Sequence, residues 1–292
     1  SGESYVLAVE GPTTANLNGL IGALVSADKP IAVNCGSFTG SNASQNLDLG
    51  FDQIVSAERT GKEYIFIKST GQDIVERVLL IAHEDNTEIF LNGNTTTAAY
   101  TLNAGNYVAL DGSNYAANGN LYVSSSKNVF AYQTIGDNSR TDFANQELFF
   151  VPPLSCETPH VIDNIPLINE IGSRVYPIAR ITLLTETAAS LSFEVNAVPY
   201  AIGQLAFLPG VTVNGPIAVV GNPAYETYSI TGLSGNVAVF SSAQLYLAAY
   251  GTDGAATFGG FFSGFTFKPE VSFDALNVAQ SNWISRCLVA LV

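Results

Sequence analysis

Apolar and polar residues alternate in short runs along this chain, and turn-forming residues punctuate them every eight to twelve positions or so. Gly61-Lys-Glu-Tyr-Ile-Phe-Ile67 alternates with period two, the mark of a half-buried strand. Arg77–His83 and Thr87–Leu91 read as strands around a Glu84-Asp85-Asn86 turn, whose Asp and Asn side chains bond nearby backbone. Asn92-Gly93 then predicts a tight reversal with both residues at positive φ. Ser4–Val9 is expected as a strand. Leu20–Val25 and Pro30–Asn34 are expected as a hairpin, followed by an exposed Gly36–Asn46 loop. Strands continue over Tyr100–Leu102, Tyr107–Leu110, Ala179–Thr185, Ala189–Val195, Gly210–Gly215, Tyr225–Ile230 and Gly235–Leu247. Helix is nearly absent, with Asp163–Ile171 its best short turn. The pattern predicts an all-β fold of tandem β-sandwich or jelly-roll-like modules.

One stretch organises the rest. Gly119–Tyr132 holds an apolar strand, a Ser-Ser-Ser-Lys turn and a second apolar strand, and a polar loop and Ala144–Leu154 follow it. Its first half recurs at Gly19–Val33 and Gly235–Leu247, a domain-sized spacing too long for a solenoid turn. The expected division is an incomplete first module over 1–75, a second over 76–165 and a third over 166–271. Residues 272–292 then begin a following segment or form a terminal strand.

Composition narrows the class. Hydrophobic residues are 47% and charged ones 12%, too apolar for disorder and suited to an extracellular β-protein rich in Thr, Asn, Ser, Gly and Tyr. A formal net charge of −14 repels phosphate backbones and anionic membranes, so nucleic acid is not expected as a partner. The apolar runs, Val237–Tyr250 among them, are broken by Ser, Gln and Gly before membrane-span length. The chain starts without Met or a signal peptide and ends on an apolar Trp283–Val292 run, so a segment of a longer secreted protein is expected. Three cysteines permit one intrachain disulfide. Cys35 and Cys156 follow equivalent strands of adjacent copies and are the candidate pair.

Several motifs carry a resemblance: Asp85–Gly93, Leu102–Tyr107, Ser126–Gln133, Ala144–Cys156, Gly232–Val237 and Ala255–Phe265. Together they resemble the IgGFc-binding-protein N-terminal domain family, in the version found on secreted proteins of gliding Bacteroidota, over roughly Leu17 to Val271. The resemblance implies a large modular surface protein exported by type IX secretion and associated with gliding motility or adhesion. It does not carry antibody binding over to this chain. The motifs are structural, so they speak for family more than for function.

Candidate chemistry is sparse. A catalytic triad would need His83 or His160 as base, and neither has a nucleophile elbow nearby. Carboxylate pairs for glycoside chemistry would come from Glu84, Asp85, Glu147 or Glu186, but Glu84-Asp85 is first of all a turn. No catalytic residues are therefore assigned. No cofactor is expected apart from calcium, for which Asp137, Asn138 and Asp142 offer hard loop oxygens. Exposed aromatics beside amides suit sugar rings, which makes Tyr115, Tyr132, Gln133, Asn145 and Gln146 the candidate ligand contacts around the central loop. The competing assignment puts Tyr132 and Phe149 in the core. The expectation is a non-enzymatic, extracellular cell-surface segment for adhesion or spacing, binding a glycan or protein surface weakly and multivalently. The alternatives are self-association through strand edges into a filament or surface layer, and a carbohydrate-active enzyme.

Overall fold

In the computed structural model the described residues are 4–9, 18–40, 48–136, 144–253 and 256–261. Strands dominate. The first half holds β1 (Val33–Gly40), β2 (Asp48–Ile54), β3 (Gly61–Ile67), β4 (Val78–Ala82) and β5 (Thr87–Leu91). It continues with β6 (Tyr100–Leu102), β7 (Tyr107–Leu110), β8 (Asn120–Gly136) and β9 (Ala144–Phe150). The second half holds β10 (Val161–Ile165), β11 (Glu170–Ile171), β12 (Arg174–Val175), β13 (Ile178–Glu186) and β14 (Leu191–Val195). Next come β15 (Val198–Ala201), β16 (Thr212–Ala218), β17 (Tyr225–Thr231), β18 (Val237–Ser241), β19 (Leu245–Asp253) and β20 (Ala256–Phe261). The all-β expectation holds.

The central stretch is a single bent strand. The Asn120–Ser125 half of β8 pairs with β3 and β5, and its Val129–Gly136 half pairs with β4 and β9. The Ser-Ser-Ser-Lys segment between them is a corner that moves the chain from one sub-sheet to the other. At this corner Tyr64 Oη donates to Val129 O at 2.6 Å and accepts from Gly61 N at 2.8 Å. Between the sub-sheets lies a core of Tyr64, Phe66, Leu80, Ile89, Leu121 and Val129, all within 0% of full enclosure. The third copy of the repeat makes a corner as well: β18 joins β10, β14 and β15, whereas β19 joins β13 and β20. The repeat is thus a sheet-switching device rather than a hairpin.

The second half is a two-sheet sandwich. The order β10-β18-β14-β15 faces β16-β17-β13-β19-β20 across Phe193, Val239, Leu183, Leu247 and Ile230. The larger of these sheets is covered twice. Leu245, Leu247 and Ala249 of β19 point into the sandwich. Tyr246 packs instead with Leu184, Val219, Ile65 and Tyr122, and Ala248 and Tyr250 join the core of the first half. Double cover explains why Leu245–Tyr250 is apolar at every position.

Several expectations differ from the structure. Ser4–Val9 pairs with no described strand, and Tyr5, Val6 and Leu7 are exposed. Leu20–Val25 is no strand: Asn18–Gly22 forms a turn, with Ile21 N bonded to Asn18 O at 3.1 Å. The strand that begins at Val33 runs on to Gly40, into the expected loop, because β2 pairs beside it. Asp163–Ile165 is strand, not helix, since β18 offers it a ladder. β3, placed by sequence with residues 1–75, pairs along its length with β8 of the following segment.

Candidate functional site

Three of the residues that sequence singled out lie in the interior. Tyr115, Tyr132 and Gln133 are 8%, 5% and 3% exposed, so the expectation that they contact a ligand is corrected. Gln133 Nε2 donates to Ile67 O at 2.8 Å and lies 3.3 Å from Tyr115 Oη, which satisfies both groups inside the core. Tyr132 packs edge-on against Phe150 at 5.7 Å, as the core assignment foresaw. Asn145 lies on β9 opposite Ile135, with Gln146 next to it. Asp137, Asn138 and Asp142 lie outside the described residues. Among the described residues no three His, Cys, Asp or Glu side chains group as metal ligands would. Cys35 is a free, exposed thiol, whereas Cys156 is disulfide-bonded, so the expected Cys35–Cys156 pair is not formed. Asp85 reaches across to a neighbouring loop instead of its own turn: its Oδ1 accepts from Ala104 N at 3.0 Å.

Sequence reasoning missed Glu76. It is fully buried, and its carboxylate accepts from Gly71 N at 2.8 Å, Gly136 N at 3.0 Å and Ser69 N at 3.1 Å. Burial pushes it up to about 7, against the pull of these amides and of Lys68. Glycine is required around it: a Cβ on Gly71 would lie 2.8 Å from Glu76 Oε1 and 2.5 Å from Gly136 Cα. Nearby, Ser69 Oγ takes hydrogen bonds from Arg180 NH1 at 3.0 Å and Tyr250 Oη at 3.1 Å, and the Arg180 guanidinium stacks 5.7 Å from the Tyr250 ring. Burial raises the Tyr250 hydroxyl, and Arg180 opposes that rise. The cluster joins the two halves of the chain. Glu76, sealed from solvent, ties the Ser69–Gly71 loop to the end of β8, and that loop in turn presents Ser69 to Arg180 and Tyr250 of the second half. A single Glu in Asp73-Ile-Val-Glu-Arg77 gives no sequence signal of this.

The surface feature that suits binding lies on the side of the second sandwich. From Val195 to Tyr225 the chain contains no Asp, Glu, Lys, Arg or His. This segment folds as β15, the 3₁₀ turn Ile202–Phe207 and β16, and the turn packs against β14, β15 and β16. Leu205 is fully buried and pins the turn, and Ala201 N donates to Gln204 Oε1 at 2.8 Å. Phe207 is left 84% exposed, beside exposed Ala206, Pro209 and Val198. A rigidly held, exposed aromatic, with exposed Glu194 opposite Pro199 on the neighbouring strand, has the make-up of an interface centre with a polar rim. The absence of charge was legible in the sequence. The outward aim of Phe207 was not, because Leu205 and Leu208 look equally apolar there.

A family model described as IgGFc binding protein matches residues 1–251. No curated protein matches the chain.

Proposed function

The chain belongs to the IgGFc binding protein family, and from that membership we propose that it acts as a non-enzymatic module of a cell-surface protein. It holds another protein surface, and many copies per cell add weak contacts into adhesion. The observation that carries this reading is Phe207, 84% exposed on a turn pinned by buried Leu205 within a stretch that holds no charged residue from Val195 to Tyr225. The low-charge, Thr- and Asn-rich composition supports an extracellular setting, and the motif resemblance supports one on gliding, type IX-secreting bacteria. Among the described residues no helix is long and apolar enough to cross a membrane.

Strand-edge assembly into a filament is the less supported alternative. β15 carries Pro199, and β16 carries Pro216 at a register shift, so neither edge offers a full ladder of N–H donors. β20 packs against β9, which covers that edge.

The test is surface-plasmon binding of the purified chain to immobilised immunoglobulin Fc, to a panel of surface proteins and to a glycan array, with and without chelator. Fc is included because the family is named for it. Expected is binding to a protein that Phe207→Ser weakens by about tenfold, a typical hot-spot loss. Chelator sensitivity would add calcium to the reading. Glycan binding unchanged in the Phe207 variant would overturn it.

A further inference from the structure

We propose that the free edge of β1 is a strand-acceptor slot, whose occupant is an apolar strand of the β4 and β13 kind supplied by another polypeptide segment. The slot is built from β1 and Ser4–Val9 and uses none of the residues around Phe207, so it stands independently of the reading above.

The second and third copies of the repeat set the same strands in the same order. In the second, β7 pairs with β4, β4 with the Val129–Gly136 half of β8, and that half with β9. In the third, β17 pairs with β13, β13 with β19, and β19 with β20. The strand after the corner is therefore interior in both copies. The first copy holds only part of this set. β1 follows the Ser26–Lys29 segment as β19 follows its own corner, and it pairs with the next strand, β2. Ser4–Val9 precedes that segment as β7 and β17 precede theirs. Among the described residues nothing stands between the two: the sheet ends at β1, Asn34, Cys35 and Gly36 are exposed, and so are Tyr5, Val6 and Leu7. A single inserted strand pairs with β1 on one side and Ser4–Val9 on the other.

The two complete copies also state the chemistry of the occupant. In its place stand Val78-Leu-Leu-Ile-Ala82 and Ile178-Ala-Arg-Ile-Thr-Leu-Leu-Thr-Glu186, each antiparallel to both neighbours. Both are already paired on two sides, so neither is free to fill the slot. Val33–Gly40 contains no Pro and no charged residue, the guards that a natural sheet edge carries. Main-chain bonds to such an edge supply affinity, and alternate side chains supply selectivity.

A fluorescent synthetic peptide of the β13 sequence, Ile178–Glu186, tests this by anisotropy with the full chain, and hydrogen exchange read by mass spectrometry locates it. Expected is saturable one-to-one binding with Kd below about 100 µM. It should slow exchange at least about tenfold in Val33–Gly40 and Ser4–Val9 and at no other edge. The peptide carrying Thr182→Pro should bind at least about tenfold more weakly, because proline cannot extend the ladder. Phe207→Ser in the chain should leave peptide binding unchanged, which separates this slot from the proposed function. No saturable binding, protection confined to another edge, or indifference to Thr182→Pro overturns the proposal. So does protection of β1 and Ser4–Val9 without peptide, in a monomer or in a dimer by sedimentation, since the chain then fills the edge itself.

Discussion

A carboxyl group sealed from water and held by the amides of Ser69, Gly71 and Gly136 titrates near neutrality, and this has a consequence for stability. Glu76 stands at about 7 in the folded chain against 4.5 for the free group. The folded state thus binds more protons than the unfolded state between those values. Its contribution is fully present below about pH 4.5 and is lost as pH rises through about 7, by up to roughly 3 kcal/mol. Urea midpoints measured from pH 5 to 8 should fall with pH in the wild type. In Glu76→Gln the slope should flatten, because the group no longer titrates. Asp52, also raised by burial, adds a residual slope of the same sign. Single residues were unevenly legible. Asn92 and Gly93 do take φ of 52° and 81°, since a local turn dictates its own residues. Tyr115 and Gln133 looked like surface contacts because a polar tip says nothing about whether an interior partner awaits it.

At the scale of the element, β8 shows how one strand serves two layers. Its bend is tied by Tyr64, whose hydroxyl bridges Gly61 N and Val129 O across the corner. Tyr64→Phe removes both bonds, taking this partner from buried Val129 O and part-buried Gly61 N. A loss of about 1–3 kcal/mol is expected in chemical denaturation, with little change in circular dichroism. The strands themselves were readable: β3 and β5 have the bounds their alternation predicts, although β3, expected half-buried, is covered on both faces at Tyr64, Ile65 and Phe66 because the second half packs on Ile65. The corner was not readable. An apolar–Ser/Lys–apolar unit fits a hairpin and a sheet switch equally well, and only the position of distant partners decides. The unpaired Ser4–Val9 makes the same point, because alternation confers the capacity to pair but supplies no partner.

For the whole molecule, the decisive contact is between the two halves. Gly93 and Gly221 sit backbone to backbone, and a Cβ on Gly221 would fall 2.3 Å from Gly93 N. Its φ of +86° adds a left-handed penalty for any side chain. Gly221→Ala should cost about 2–4 kcal/mol, read as a lower midpoint of a single transition in chemical denaturation. Asn120 Oδ1 accepts from Thr227 Oγ1 at 3.0 Å, and Asn118 Nδ2 donates to Ala218 O at 2.8 Å across the same seam. The all-β class was legible, since periodicity is a property of the sequence alone. The stacking of the halves was not, because Tyr246, Ala248 and Tyr250 read as ordinary core until a second layer is found on their side. That doubly covered sheet means neither half is a portable part. A proteolytic or recombinant cut between β9 and β10 would strip the outer face of β19 of its cover, and the fragment carrying it would aggregate where the intact chain stays dispersed.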